Sequence, residues 1–334
     1  MTPTTFTAAI TALRATEDAS ELHSERKIVF HHPSTYATVS FDEYSVHSLP
    51  VSSKQNVTTL PLLFVDGGNS LIFQSASSCL ALLRFAALRY DGLVKHERII
   101  HECFVLITRE KERDSVRYFN ELPFFQNFSL REEQSNNSGL HTPNDWVAQI
   151  NKLRRFQELC LVEHLHQQYP TSTIVLDGSL DSDDAKELAL IQKWQQQQYP
   201  LFAFSKSSTL LTLDNKSVLA QCASLFQQKL PHRSAFVVDD TQTLFFARLH
   251  THSSHVFRID TTTKESTSLL QILAVFSSDP VFWGYPYPLI EVDRMARVSN
   301  EECNYYRTML GTKIDIRKFE SSVSAHAVLD KIMF

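Results

Sequence analysis

Two short stretches, VDGGNS at 65–70 and IVLDGSL at 174–180, each drive an apolar run into an aspartate followed by glycine. The chain has only seven glycines, and three of them, Gly67, Gly68 and Gly178, stand directly behind Asp66 and Asp177. A carboxylate at the last position of a buried strand lies at the carboxyl edge of the sheet, where open α/β sheets place their ligands. Glycine behind it permits a sharp turn and a close approach of backbone to ligand. A third acid, Glu158, sits in LRRFQELCLVE on the polar side of a helical segment whose apolar residues include Leu153, Phe156, Leu159 and Val162, while Glu163 falls on another face. If the two strands are neighbours, the carboxylates converge and repel one another, and cations are what stabilises such a group near neutral pH. All-oxygen ligands select hard ions such as Mg²⁺ or Mn²⁺. Paired ions of this kind activate water and steady the leaving oxygen in attack on a phosphodiester. Each residue alone has a plainer reading: Asp-Gly after a strand is common turn chemistry, and a helix glutamate is commonly solvated.

The elements that must position these acids follow from periodicity. An amphipathic helix is expected over 1–25, and TTLPLLFVD (58–66) reads as a strand ending at Asp66. SLIF (70–73), CLALLRFAALRY (79–90) and RIIHECFVLITRE (98–110) read as further strands, with helix also open for the second. SLREEQSNNSGLHTPND, inside 111–143 and just beyond, has the composition of a polar loop. A long helix is expected from Thr142 to before Pro170, then a strand at 172–180, a helix at 181–200, a strand at 201–208 and a helix at 215–230. SAFVVDD, TLFFARLH and HVFRID (234–260) suggest an antiparallel meander, and the end reads as helical around a GYPYP loop at 284–288. Strands first, then helices alternating with strands, is the order of an RNase H-like α/β fold. Its mixed sheet combines antiparallel hairpin strands with parallel strands, flanked by helices, and here carries an added C-terminal meander and helices. The expected division is 1–57 as an N-terminal helix and partner or dimer-contact region, 58–310 as the main domain, and 311–334 as a tail.

Composition narrows the classes. A chain of 334 residues that is 43% hydrophobic and 21% charged folds into a sizeable core. With a net charge of −5, any nucleic-acid surface must be a local basic patch. Five scattered cysteines without a CxxC pair read as reduced core residues in a cytoplasmic protein. No apolar run approaches membrane-spanning length, and the N-terminus is no secretory signal.

In sequence order, VDGGNS (65–70), LRRFQE (153–158), IVLDGSL (174–180), FAFSKSS (202–208), TLFFARLH (243–250), HVFRID (255–260) and WGYPYPLIEVDRMARVS (283–299) resemble the NurA nuclease family, over about residues 58–310. The resemblance implies an RNase H-like, Mn²⁺-dependent nuclease, Mg²⁺ being possible, that cuts DNA from its ends. It also implies a homodimer docked to a hexameric HerA-type ATPase. It makes Asp66, Glu158 and Asp177 the metal ligands and Lys206 the counter-charge to the scissile phosphate. It places Tyr285 where it could position a phosphate or stack on a base. Where the family usually has histidine after the loop, this chain has Asp293, which could add a metal ligand but not an imidazole's proton donation. Arg154 and Arg155 could grip DNA phosphates or simply face solvent. Partner contacts are expected from the N-terminal region and exposed apolar residues of the middle strands.

Other features have bland readings. His250, His252 and His255 resemble a metal cluster, but no further ligand completes a tetrahedral set nearby. His164 and His166 do not share a helix face. Two rival functions stand: a non-cutting NurA-like scaffold for DNA and ATPase, and an actin-like phosphatase or phosphotransferase wrapping phosphate with the VDGGNS turn. The latter needs another glycine-rich turn, which Gly92, Gly139, Gly284 and Gly311 do not form.

Overall fold

The computed structural model describes residues 7–8, 10–12, 27–33, 35–50, 61–109, 114–120, 122–128, 146–239, 241–263 and 267–314. The expected N-terminal helix is described only at 7–8 and 10–12, which are helical. The polar stretch 129–145 and the tail beyond 314 lie outside the described residues.

A ten-stranded mixed sheet organises the chain. Its long antiparallel wing is β4 (Pro61–Gln74), β5 (Ser78–Asp91), β6 (Val94–Arg109) and β7 (Asp114–Phe119). The parallel centre is β4 with β8 (Thr173–Asp177) and β9 (Leu201–Ser205). The meander β10 (Ala235–Val238), β11 (Leu244–Arg248) and β12 (Phe257–Thr261) continues antiparallel from β9. Parallel neighbours need crossovers. The long helix α1 (Trp146–Gln168) leads into β8, and α2 (Ala185–Gln196) links β8 to β9. This is the RNase H-like mixed sheet with helices on both faces.

Alternation along the strands assigns the faces. Leu63 and Val65 of β4 join the core under α1 and α2, whereas Leu62 and Phe64 join the core under α4 (Thr267–Phe276) and α5 (Tyr287–Ala296). β5 is buried on both faces, which explains its nearly continuous apolar run and settles it as strand, not helix. A third core joins the hairpin of β1 (Lys27–His31) and β2 (Thr38–Asp42) to α3 (Val218–Lys229) and the meander, centred on Phe30, Phe41 and Phe246. The two-residue strand β3 (His47–Ser48), within the expected N-terminal region, pairs with β10 and so extends the same sheet.

Two expectations change. SLIF is the end of β4, not a separate strand, and Asp66 is not a strand terminus. Gly67 and Gly68 pair with Phe85 and Arg84 inside the β4–β5 ladder, so the glycine pair makes no turn there. What stops at this level is the neighbour: β4 pairs with β8 only as far as Val65↔Leu176, while the β4–β5 ladder runs on to Gln74↔Cys79. A cleft opens where β8 ends.

The physical reason for Gly68 lies across that cleft. A Cβ built on it would stand 2.0 Å from the Ala296 carbonyl oxygen at the end of α5. The obstacle is backbone, which no rotamer change relieves. We expect Gly68→Ala to destabilise the protein by about 3 kcal/mol or to push α5 off the sheet. Gly92→Ala, at a loop glycine with φ +58° and no atom within 4 Å of a built Cβ, should cost only about 1 kcal/mol. Equal urea midpoints for the two variants would show that α5 does not sit this close to β4.

Candidate metal centre

Asp66 and Asp177 meet because of register. Phe64 and Val175 are paired neighbours that both face the core under α5. Two residues further, Asp66 and Asp177 therefore face the same side. α5 enters that side after Pro286, burying Leu289, Val292 and Ala296, and carries Asp293 towards the acids. Carboxylate oxygens of Asp66, Asp177 and Asp293 all lie within 4.8 Å of one another. Lys206, directly after β9, places its Nζ 2.7 Å from Asp177 Oδ2 and 3.7 Å from Asp293 Oδ1.

Tyr285 donates its hydroxyl to the same Asp177 Oδ2 at 3.0 Å. Its ring is buried: Phe282 stacks on it at 5.5 Å, Phe204 meets it edge-on at 5.2 Å, and the Lys206 ammonium lies 5.1 Å from its centre. This corrects the idea that Tyr285 stacks on a base, since both faces of the ring are already covered. Gly284 before it has φ +87°, and a Cβ there would collide with Ser253 at 2.6 Å, so glycine is required to turn the chain into this position.

Glu158 comes from the opposite face of the sheet, on α1, and stands outside the trio. It is also not on a solvated face. Every residue from Phe156 to Val162 is buried, because α1 runs between the sheet and the segment covering it, and Glu158 itself is 1% exposed. Its Oε2 accepts from Arg154 Nη1 at 3.0 Å and lies 3.6 Å from Arg155 Nη1, while its Oε1 has no hydrogen-bond partner. Arg154 also donates to the Gly67 carbonyl at 2.8 Å, and Arg155 donates to the Ser179 carbonyl. Both arginines thus point inward to Glu158 and the two aspartate-bearing segments, which corrects the picture of guanidinium groups directed at DNA.

Charge and burial explain the titration of the site. Burial, then the neighbouring charges of Glu158 and Asp177, push the Asp66 carboxyl up to about 8, against the Gly67 N–H that donates to it at 2.7 Å. Burial likewise raises Glu158 against the pull of Arg154 and Arg155, and raises Asp177 against Lys206. Burial alone would lower Lys206, but Asp177 and Asp293 outweigh it and hold the ammonium charged. Burial and Asp177 raise the Tyr285 hydroxyl, which stays a proton donor.

These residues fit a hard divalent cation. All the converging donors are carboxylate oxygens, and Glu158 keeps a buried oxygen unpartnered. Among the described residues the acidic trio is the one group with such convergence. The histidines of RLHTHSSH go elsewhere: His250 stacks on Trp283 at 4.3 Å and His255 packs against Phe282. All five cysteines are free and buried. Sequence reasoning overlooked Arg297, whose Nη2 lies 2.8 Å from Asp293 Oδ2; the available signal was the four-residue helical spacing from Asp293.

The titration yields a signed prediction. Asp66 moves from 3.8 to about 8, so its contribution favours the metal-free fold below about pH 4 and is lost as pH rises towards 8. Metal-free protein should lose stability over that range, by up to about 1.4 kcal/mol per pH unit from this group. Asp66→Asn should flatten the dependence, raise the melting temperature at pH 8 and reduce any further rise produced by a divalent cation such as Mn²⁺. A variant as pH-sensitive and as Mn²⁺-responsive as the parent would refute the placement of Asp66.

A family model and several solved structures resemble this chain. The NurA domain matches residues 104–298. Among solved structures, the NurA nuclease from Sulfolobus solfataricus is similar at TM-score 0.54 and 13% identity, over 94% of this chain and 97% of that one. Human ENDOV is similar at TM-score 0.39 and 15% identity, over 79% of this chain and 94% of that one. Endonuclease V from Bacillus subtilis follows at TM-score 0.34 and 11% identity, covering 81% and 90%. No curated protein matches the sequence. Among the described residues no helix is long and apolar enough to cross a membrane. With more than half of its length matched by the domain, the chain belongs to the NurA family.

Proposed function

We propose that the protein is a Mn²⁺- or Mg²⁺-dependent nuclease that hydrolyses phosphodiesters from DNA ends, working as a homodimer with a HerA-type hexameric ATPase. The observation that carries the catalytic part is the convergence of Asp66, Asp177 and Asp293 beside the Lys206 ammonium in a cleft where the sheet loses a strand. Family membership supports the same reading and is the basis for the dimer and the ATPase partner.

Asp66, Asp177 and Asp293 would hold the cation, with the free oxygen of Glu158 available from the other face. Bound there, divalent ions supply the charge that makes a water acidic and stabilises the departing oxygen. The chain's own groups do the rest. Tyr285 and Lys206 both fix Asp177 Oδ2 by hydrogen bonds, so this carboxylate is oriented before substrate arrives. Arg154 and Arg155 fix Glu158 in the same way. Lys206 is also the fixed positive charge that offsets negative charge building on the phosphoryl oxygens as water adds. Asp293, in the position where relatives usually have histidine, contributes an oxygen to the cation site.

The phosphotransferase alternative loses its support, because the glycine pair lies within a paired strand and forms no phosphate-wrapping turn.

End-labelled linear and closed circular DNA, incubated with Mn²⁺, Mg²⁺ or EDTA, test the reading. Linear DNA should be degraded with either metal and spared in EDTA. Asp66→Ala should abolish degradation with folding intact, and Lys206→Ala should slow it by about 10²–10³-fold. Undiminished cleavage by Asp66→Ala would reject the assignment.

A further inference from the structure

Arg297 is paired with Asp293, and its main chain is fixed from several directions. Its N–H donates to the Asp293 carbonyl at 3.0 Å, and its own carbonyl accepts from Arg84 Nη1 at 2.6 Å. The residue before it abuts Gly68, and Ser299 and Glu302 close a reciprocal cap on the next helix, α6 (Asn300–Lys313). From this rigid corner the side chain projects with 68% of its surface exposed, touching Asp293 Oδ2 at 2.8 Å. With Asp66, Asn69 and Asp293 it lines a cleft of about 160 Å³.

The other cations that touch the acids are tied to carboxylates, although Lys206 keeps 43% of its side chain exposed; Arg294 is also exposed but does not line the cleft. Arg154 and Arg155 are 23% and 17% exposed and bound to Glu158, and Lys206 sits between Asp177 and Asp293. A polyanion approaching a chain of net charge −5 needs a local cation that still faces solvent. The need is sharper here because the carbonyl end of α5 carries partial negative charge. A guanidinium offers a planar fork matched to two phosphate oxygens.

We propose that Arg297 grips a backbone phosphate of the bound DNA strand, adjacent to the phosphate being hydrolysed, and so sets how the strand lies across the acids. Asp293 keeps the fork oriented towards the cleft. The proposal rests on the nuclease reading for its substrate, and binding and cleavage are read separately so that the two can fail separately.

Full-length protein, Arg297→Gln and Arg297→Lys are compared. Binding of an end-labelled linear DNA in EDTA is measured by fluorescence anisotropy across a salt series. Arg297→Gln should raise Kd about 5–10-fold and lower the slope of log K against log salt by about one, as loss of one phosphate contact does. Arg297→Lys should keep the slope. In Mn²⁺, KM should rise with Kd in Arg297→Gln while kcat stays within about twofold, and the Mn²⁺-induced rise in melting temperature should persist. Parental Kd and slope in Arg297→Gln overturn the proposal, and so does loss of the Mn²⁺ response, which would mean that Arg297 serves Asp293 instead of DNA. If the parent binds DNA with these effects but does not cut, Arg297 stands and the nuclease reading falls. Failure of the parent to bind DNA overturns both.

Discussion

Like charges gathered in one partly buried cleft are the constraint on which the site depends. Asp66, Asp177 and Asp293 share a space less than 5 Å across, with Glu158 buried behind them; Glu158 and Asp177 make Asp66 harder to ionise, and Asp293 does the same to Asp177. The fold tolerates this because every one of these acids except Asp66 has a cation beside it. Lys206 stands against Asp177 and Asp293, Arg154 and Arg155 stand against Glu158, and Arg297 stands against Asp293. Asp66 accepts from the Gly67 N–H and feels the Arg154 charge without an ion pair among the described residues, and its titration is displaced to about 8.

The sheet supplies the cleft by an inequality of strand lengths. β8 spans five residues and β4 fourteen, so β4 passes beyond its parallel neighbour with one edge uncovered. α1 and the α5–α6 corner cover its two faces at that point: Arg154 reaches the Gly67 carbonyl from one side, and Ala296 presses on Gly68 from the other. The glycine pair is therefore a packing device. It lets two backbones approach next to Asp66 while the β4–β5 ladder stays unbroken.

Arginines divide by depth. Those on α1 are drawn inward by a buried carboxylate that would otherwise lack any counter-charge, whereas Arg297, at a helix end, remains at the mouth. Sequence neighbours such as Arg154 and Arg155 look like a basic patch in one dimension. Their partners, 158 on the same helix, the carbonyl of residue 67 on β4 and that of residue 179 just beyond β8, come together only after folding.

The sequence by itself determined the order and type of the central elements. Long-range periodicity separates the helices at 146–168, 185–196 and 218–229 from the short apolar strands between them, and that alternation already implies the mixed sheet. It also marked Asp66, Glu158, Asp177, Lys206, Tyr285 and Asp293 through an ordered series of motifs. Tertiary structure decided what local pattern cannot encode. Whether Asp-Gly-Gly turns or continues as strand depends on β5 pairing through it, and whether Glu158 faces water depends on what covers α1. That Asp293 joins Asp66 and Asp177 while Glu158 stands apart depends on which face of the sheet each approaches. Such choices are made by contacts between residues tens to hundreds of positions apart, and no window of sequence contains both sides of them.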